Sequence, residues 1–146
     1  ESEPFTEDIW ISGLPRLHID VSTATVGGQI YALLEDCDGS TCIHIGHAIM
    51  DLRYHAGGSD EQAWAAPLEE ITALMEFFPM DVEVQAGHTI RLSLVSTGED
   101  YLPSSASSIV TVNDAGSTLQ LDIFDPETRQ YYPVPECTHP VCLENQ

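Results

Sequence analysis

Alternation between apolar and polar positions is the dominant pattern of this chain. In the stretch Gln85 to Thr97, Ile90, Leu92 and Leu94 fall on one face and Arg91, Ser93 and Val95 on the other. That period of two marks a strand lying on a core, and the turn pair Ala86-Gly87 opens it. The stretch reads as a central strand. Leu68 to Phe78 alternates as well, with Ile71, Ala73, Met75 and Phe77 on one face and Glu70, Thr72, Leu74 and Glu76 on the other. Its composition would also suit a helix, but the period fits a strand. Pro79 to Val84 then reads as the connector between these two strands.

The same reading runs along the rest of the chain. Ile9 to Ile11 is a short strand ended by Gly13 and Pro15, and Arg16 to Ser22 follows with Leu17, Ile19 and Val21 inward and Arg16, His18 and Asp20 outward. Gln29 to Glu35, after the Gly27-Gly28 turn, is apolar on both faces and therefore central in its sheet. Asp36 to Cys42 is a hairpin loop with the turn pair Asp38-Gly39 at its tip. Ile43 to Tyr54 is the return strand, in which Gly46 marks a bulge or a close backbone approach. His55 to Pro67 reads as a surface crossover. Ser108 to Val112 and Ser117 to Ile123 read as two strands flanking a turn at Asn113-Asp114-Ala115-Gly116. Strands follow one another with turn signals between them and no sustained 3.6-residue period. The expectation is an all-β chain, an antiparallel β-sandwich, with residues 1–8 as an extended acidic arm, 9–125 as the sandwich and 126–146 as a proline-rich tail.

With 146 residues there is material for one domain with a single core. Charge changes the picture more than length does. There are 24 acidic residues against 4 basic ones, all arginine, and the formal net charge is −20. A field of that sign repels phosphate backbones and anionic lipid, which argues against nucleic acid and membrane surfaces as partners and favours cations or other proteins. No apolar run is long enough to span a bilayer. The 42% of hydrophobic residues and their patterning argue against an acidic disordered tail. A lysine-free acidic surface is read as salt adaptation, with a merely acidic secreted protein as the alternative. The chain begins Glu-Ser-Glu-Pro without a signal peptide or initiator Met, which suits a processed mature protein or a piece of a larger one.

Four cysteines occur at two equal spacings, Cys37 with Cys42 and Cys137 with Cys142. Two local disulfides in an oxidising compartment are the simplest account; a zinc site made by all four, or cross-pairing of the two loops, are the rivals. Localisation outside the cell or at its surface, in a saline environment, follows. No metal or cofactor is expected. The weak candidates for a surface calcium site are Asp36, Asp38, Glu99 and Asp100, but an EF-hand would need further oxygen ligands and a closing Glu, which are missing. His44 and His47 straddle Gly46; three apart on a strand they point to opposite faces and cannot chelate one metal without a bulge, so separate polar positions are the favoured reading.

Four segments taken together resemble a known family. They are Ile-Ser-Gly-Leu-Pro-Arg-Leu-His-Ile at 11 to 19, Ile-Tyr-Ala-Leu-Leu-Glu-Asp at 30 to 36, Gly-His-Ala-Ile-Met-Asp-Leu-Arg-Tyr at 46 to 54, and Ala-Gly-His-Thr-Ile-Arg-Leu-Ser-Leu at 86 to 94. In this order, over about residues 5 to 125, they resemble the C-terminal jelly-roll domain of the X-prolyl dipeptidyl-peptidase and cocaine-esterase family of serine hydrolases. The resemblance implies a jelly-roll, galactose-binding-like sandwich in which Gly13, Pro15, Asp36, Arg53, Gly87, His88 and Arg91 are structural. It also implies an upstream α/β-hydrolase domain carrying the catalytic serine, aspartate and histidine. This chain has no Gly-x-Ser-x-Gly nucleophile elbow, so the resemblance carries fold and not catalysis. The cysteine-bearing hairpin and the tail from Asp125 onward depart from the family core.

Three functions remain in view, none catalytic. The first is an accessory sandwich domain of a secreted X-prolyl peptidase-like serine hydrolase, shaping substrate access or subunit contacts. The second is a self-assembling extracellular subunit of a filament or surface layer, with identical chains as partners and the tail or the arm adding to a neighbour's sheet edge. The third is a carbohydrate-binding module, for which Trp10, Trp64, Tyr101, Tyr131 and Tyr132 would supply the stacking platform.

Overall fold

A computed structural model describes residues 1–25, 27–56, 60, 67–98, 101 and 108–124. Its elements in chain order are strands β1 (Ile9–Gly13), β2 (Arg16–Thr23), β3 (Gln29–Asp38) and β4 (Thr41–Asp51), a 3₁₀ turn (Leu52–Tyr54), and strands β5 (Ile71–Glu76), β6 (Met80–Val84), β7 (Thr89–Val95), β8 (Val110–Gln120) and β9 (Ile123–Phe124). All pairings are antiparallel, in the orders β6-β1-β9, β5-β2-β8 and β4-β3-β7.

The first two ladders are the halves of one bent sheet. Each of three chain segments passes from one to the other through a break: β1 to β2 at Leu14-Pro15, β5 to β6 at Phe77–Pro79, and β8 to β9 at Leu121-Asp122. Backbone bonds span the bend, from Phe77 N–H to the Pro15 carbonyl at 3.0 Å and from Ser12 N–H to the Asp122 carbonyl at 3.0 Å. At the break, Gly13 has φ 142°, and a Cβ there would stand 2.8 Å from the Asp122 carboxylate, so only glycine suits it. The third ladder packs face to face on this bent sheet.

Period-two burial decides which side of each strand faces the core. Leu17, Ile19 and Val21 of β2 and Ala73, Met75 and Phe77 of β5 meet Ile30, Ala32 and Leu34 of β3, with Ala48, Leu52, Val84, Ile90 and Ile11 completing the cluster, all of them at most 4% exposed. Two sheets sharing one dry interior make an antiparallel β-sandwich. Adjoining strands β4 and β5 close one side of it, through Phe78 N–H to the His47 carbonyl and Leu74 N–H to the His55 carbonyl.

Inward and outward faces of β2, β3 and β5 follow their alternation, and β3 is central as its two apolar faces require. Four expectations are corrected. The Gln85 to Thr97 stretch forms β7, which among the described strands pairs with β3 alone and is an edge strand; alternation reports which face is buried and is silent on neighbours. The presumed connector after Pro79 is β6, paired with β1 along its length. The presumed turn at Asn113 to Gly116 is an excursion inside one strand, because Val112 and Thr118 both pair with β2 in the same direction, opposite Val21 and His18. Ser117 makes that excursion affordable: its hydroxyl accepts from Asp20 N–H at 3.1 Å and donates to the Asn113 carbonyl at 2.7 Å. The hairpin tip is Gly39-Ser40, one residue later than the Asp38-Gly39 pair, with a positive φ at its first central residue only, as in a type II′ turn.

The acidic arm is also more than a linker. Ser2 N–H donates to the Ile90 carbonyl and Ile90 N–H to the Ser2 hydroxyl, both at 2.9 Å, while Phe5 exchanges bonds with His88 and Gly87. Residues 1–5 thus lie along the free edge of β7. The tail from Asp125, with Cys137, Cys142, Tyr131 and Tyr132, lies outside the described residues.

Candidate interaction surfaces

The polar residues of the four segments are held by the scaffold and do not converge on one place. His88 Nδ1 meets Asp36 Oδ1 at 2.8 Å, tying the head of β7 to the end of β3. Gly87 just before it has φ 89°, a backbone state that a turn into β7 requires and side chains disfavour. Asp51 caps the 3₁₀ turn: its carboxylate accepts from the Arg53 N–H at 3.0 Å and from the Arg53 guanidinium at 2.7 Å, and these bonds hold the Asp51 carboxyl below its ordinary value. Thr89 donates to the Glu1 carboxylate at 2.7 Å and Arg91 reaches the same group at 3.2 Å; the Thr89 bond first and the Arg91 bond second lower the Glu1 pKa. Pro15 is fully buried in the bend.

A serine hydrolase needs a hydroxyl within hydrogen-bond reach of its base. Among the described residues, His88 Nδ1 meets the Asp36 carboxylate and His47 Nε2 meets the Tyr101 hydroxyl at 3.2 Å, a phenol and not a serine.

The expected separation of His44 and His47 does not hold. Leu34 pairs with Gly46 and Glu35 with His44, so Ile45 is an extra residue in β4. This bulge turns both imidazoles onto the outer face of the β4-β3-β7 sheet, stacked with centroids 5.3 Å apart. A ring cluster forms there: His47 also stacks on Tyr31 at 5.3 Å and meets the edges of Phe78 at 5.2 Å and Tyr101 at 5.8 Å. Tyr31 is buried beneath the cluster, whereas Phe78 keeps 61% of its surface exposed. The sequence signal for it was Gly46 between two histidines, which was read for the bulge but not for its consequence.

Cys37 and Cys42 face each other across the β3–β4 hairpin and form a disulfide, which removes a four-cysteine zinc site and cross-pairing for this pair. Asp36 is engaged by His88, Asp38 stands exposed beside the hairpin tip, and Glu99 and Asp100 lie outside the described residues. Among the described residues no group of three or more His, Cys, Asp or Glu is placed to hold a metal ion. Of the aromatic residues named for sugar stacking, the two described ones lie apart, Tyr101 on the ring cluster and Trp10 on β1 in the other sheet, while Trp64, Tyr131 and Tyr132 lie outside the described residues.

The described residues make an antiparallel β-sandwich in which His88 is tied to Asp36, Arg53 to Asp51 and Arg91 to Glu1. Over residues 1–132 the chain matches the X-Pro dipeptidyl-peptidase C-terminal non-catalytic domain, and it belongs to that family. The chain is not itself catalytic. No curated protein matches it.

Proposed function

We propose that this chain is the accessory β-sandwich of a secreted X-prolyl peptidase-like serine hydrolase, packed against an α/β-hydrolase domain and shaping substrate access or subunit contacts. The family match over residues 1–132 carries this reading. A hairpin disulfide fits an oxidising compartment outside the cell. Among the described residues no helix is long and apolar enough to cross a membrane.

The ring cluster is the surface we assign to that contact. Exposed aromatic side chains packed on a rigid sheet are what stable interfaces use as anchors, and Phe78 presents most of its ring to solvent beside His44, His47 and Tyr101. In the parent polypeptide, Phe78→Asp is expected to change kcat/KM for X-Pro peptides of differing length, or the subunit stoichiometry, while the isolated sandwich keeps its unfolding midpoint. Unchanged length preference and stoichiometry would sink the assignment. Absence of a hydrolase domain from the parent would sink the whole reading.

A further inference from the structure

Three rings of the cluster form a stack that runs from the interior to the surface. Tyr31, 5% exposed, lies against His47 with centroids 5.3 Å apart and planes 27° from parallel, and His47 lies against His44 at 5.3 Å and 29°. His44 is exposed and ends the stack. Phe78 and Tyr101 hold the middle ring from its sides, at 68° and 70° to it, and the Tyr101 hydroxyl meets His47 Nε2 at 3.2 Å. The outermost ring therefore rests on one whose position is fixed from three directions.

The stack ends beside a carboxylate. Ile30, Ala32 and Leu34 of β3 face the core, so Tyr31 and Glu35 share the opposite face, and Glu35 pairs with His44 across the ladder. Ser93 Oγ donates to Glu35 Oε2 at 3.0 Å and holds the carboxylate in place. Among the described residues the chain's own cations are engaged by other carboxylates: Arg16 by Glu76, Arg53 by Asp51, and Arg91, the neighbour of Glu35 on β7, by Glu1.

From this geometry we infer that the end of the stack receives a guanidinium, the side chain of an arginine on the hydrolase domain. The inference rests on the ring cluster being the contact proposed above, and names the group that occupies it. A guanidinium is flat, weakly hydrated and always charged, so it can lie on an aromatic face while its N–H edge bonds a carboxylate. Set on His44 it adds one more plane to the stack and turns its donors to Glu35. A lysine ammonium has no plane to stack, and an apolar side chain would leave Glu35 unpaired in a dry contact. The net charge of −20 draws a cationic surface to this face before any contact is made.

The probe is N-acetyl-arginine amide titrated into this chain at about pH 8, where imidazole is ordinarily neutral, in about 0.15 M NaCl, where diffuse attraction is screened beyond about 8 Å. Saturable shifts of the His44 and His47 ring protons are expected, with nuclear Overhauser contacts from the arginine δ-methylene to the His44 ring. The citrulline amide, equally flat but neutral, and the lysine amide, equally charged but not flat, should each bind at least about three-fold more weakly. His44→Leu should weaken arginine binding to the same extent and His44→Tyr should retain it. Equal binding by citrulline or by lysine, or ring protons that do not respond, overturns the inference. Both comparisons use the unmodified chain, so they stand whether or not the variants fold, and they are read without the parent's Phe78→Asp result. In the parent polypeptide, His44→Leu should move the same kinetic or stoichiometric readout as Phe78→Asp. If Phe78→Asp moves it and His44→Leu does not, the contact stands and the arginine falls; if the amide binds and neither variant has an effect, the arginine is not the hydrolase domain's and the inference falls with the contact.

Discussion

His88 and Asp36 hold each other at 2.8 Å with only 22% and 14% of their side chains exposed, so each depends on the other for what water no longer supplies. Removing one partner strands its mate. His88→Ala is expected to lower the urea midpoint by an amount corresponding to about 1–3 kcal/mol with an unchanged slope, and an unaltered midpoint would show that the pair is ornamental. Asp51 makes a different test, because its pKa is depressed by hydrogen bonding to Arg53. A carboxylate whose folded pKa lies below its unfolded one contributes stability that is present above the unfolded value of 3.8 and is lost as pH falls through the folded value. Asp51→Asn should therefore destabilise at pH 7 and make little difference at pH 2. The pair is half exposed, so the loss at pH 7 should stay under about 1 kcal/mol. An equal loss at both pH values would mean that the asparagine acts through packing. Gly98 is a steric case. A Cβ there would stand 2.6 Å from the Tyr31 ring, which is buried and packed against His47 and Tyr101.

The arm and the cysteine hairpin act as elements. Ser2 and Phe5 share four hydrogen bonds with Gly87, His88 and Ile90, and Glu1 accepts further ones from Thr89 and Arg91, each contributing about 0.5–1.5 kcal/mol net against an ordering cost of about 1 kcal/mol for each residue fixed. Phe5 packs against the core and tips the balance toward docking. Deleting residues 1–5 should cost little stability, on the order of 1 kcal/mol, yet it bares the whole edge of β7 and should promote self-association at high concentration. A deletion that stays monomeric and keeps slow exchange at Ile90 would contradict the arm's role. The disulfide is the converse case, a small loop closed covalently: Cys37→Ala with Cys42→Ala should lose about 2 kcal/mol, measured by denaturant unfolding.

These elements also mark what the chain made legible. β2, β3 and β5 were readable because one or both of their faces are buried and period two reports burial. The edge position of β7 was not, since it depends on which distant segment comes alongside. β8 misled because Asn113 to Gly116 are turn formers, and only the Ser117 hydroxyl, bonded to Asp20 from the neighbouring strand, keeps the strand whole. The ring cluster stayed hidden because one extra residue, Ile45, reverses the face on which His44 lies. Asp36 and His88 were legible as scaffold through the family pattern, without which their pairing across 52 positions had no local signal.

At the scale of the whole molecule the decisive quantity is charge. A net charge of −20 is spread over a sandwich whose core is complete, so repulsion among surface carboxylates is a global penalty that local pairs do not remove. Arg16 with Glu76, Arg53 with Asp51 and Arg91 with Glu1 engage three of the four arginines, leaving the carboxylates in large excess. Screening is then the main relief available. The Debye length falls from about 30 Å at 0.01 M salt to about 10 Å at 0.1 M and 3 Å at 1 M, so most of the repulsion between separated carboxylates should vanish across that range. The Tm is expected to rise steeply up to a few tenths molar NaCl and then level. Sodium sulfate at equal ionic strength should give the same initial rise, because screening depends on ionic strength, whereas salting-out of apolar surface would separate the two salts and continue to molar concentrations. A Tm that is flat or falling with salt would mean that the acidic surface is paired through contacts the four arginines cannot supply, and the reading of this surface as an adaptation to saline surroundings would fail.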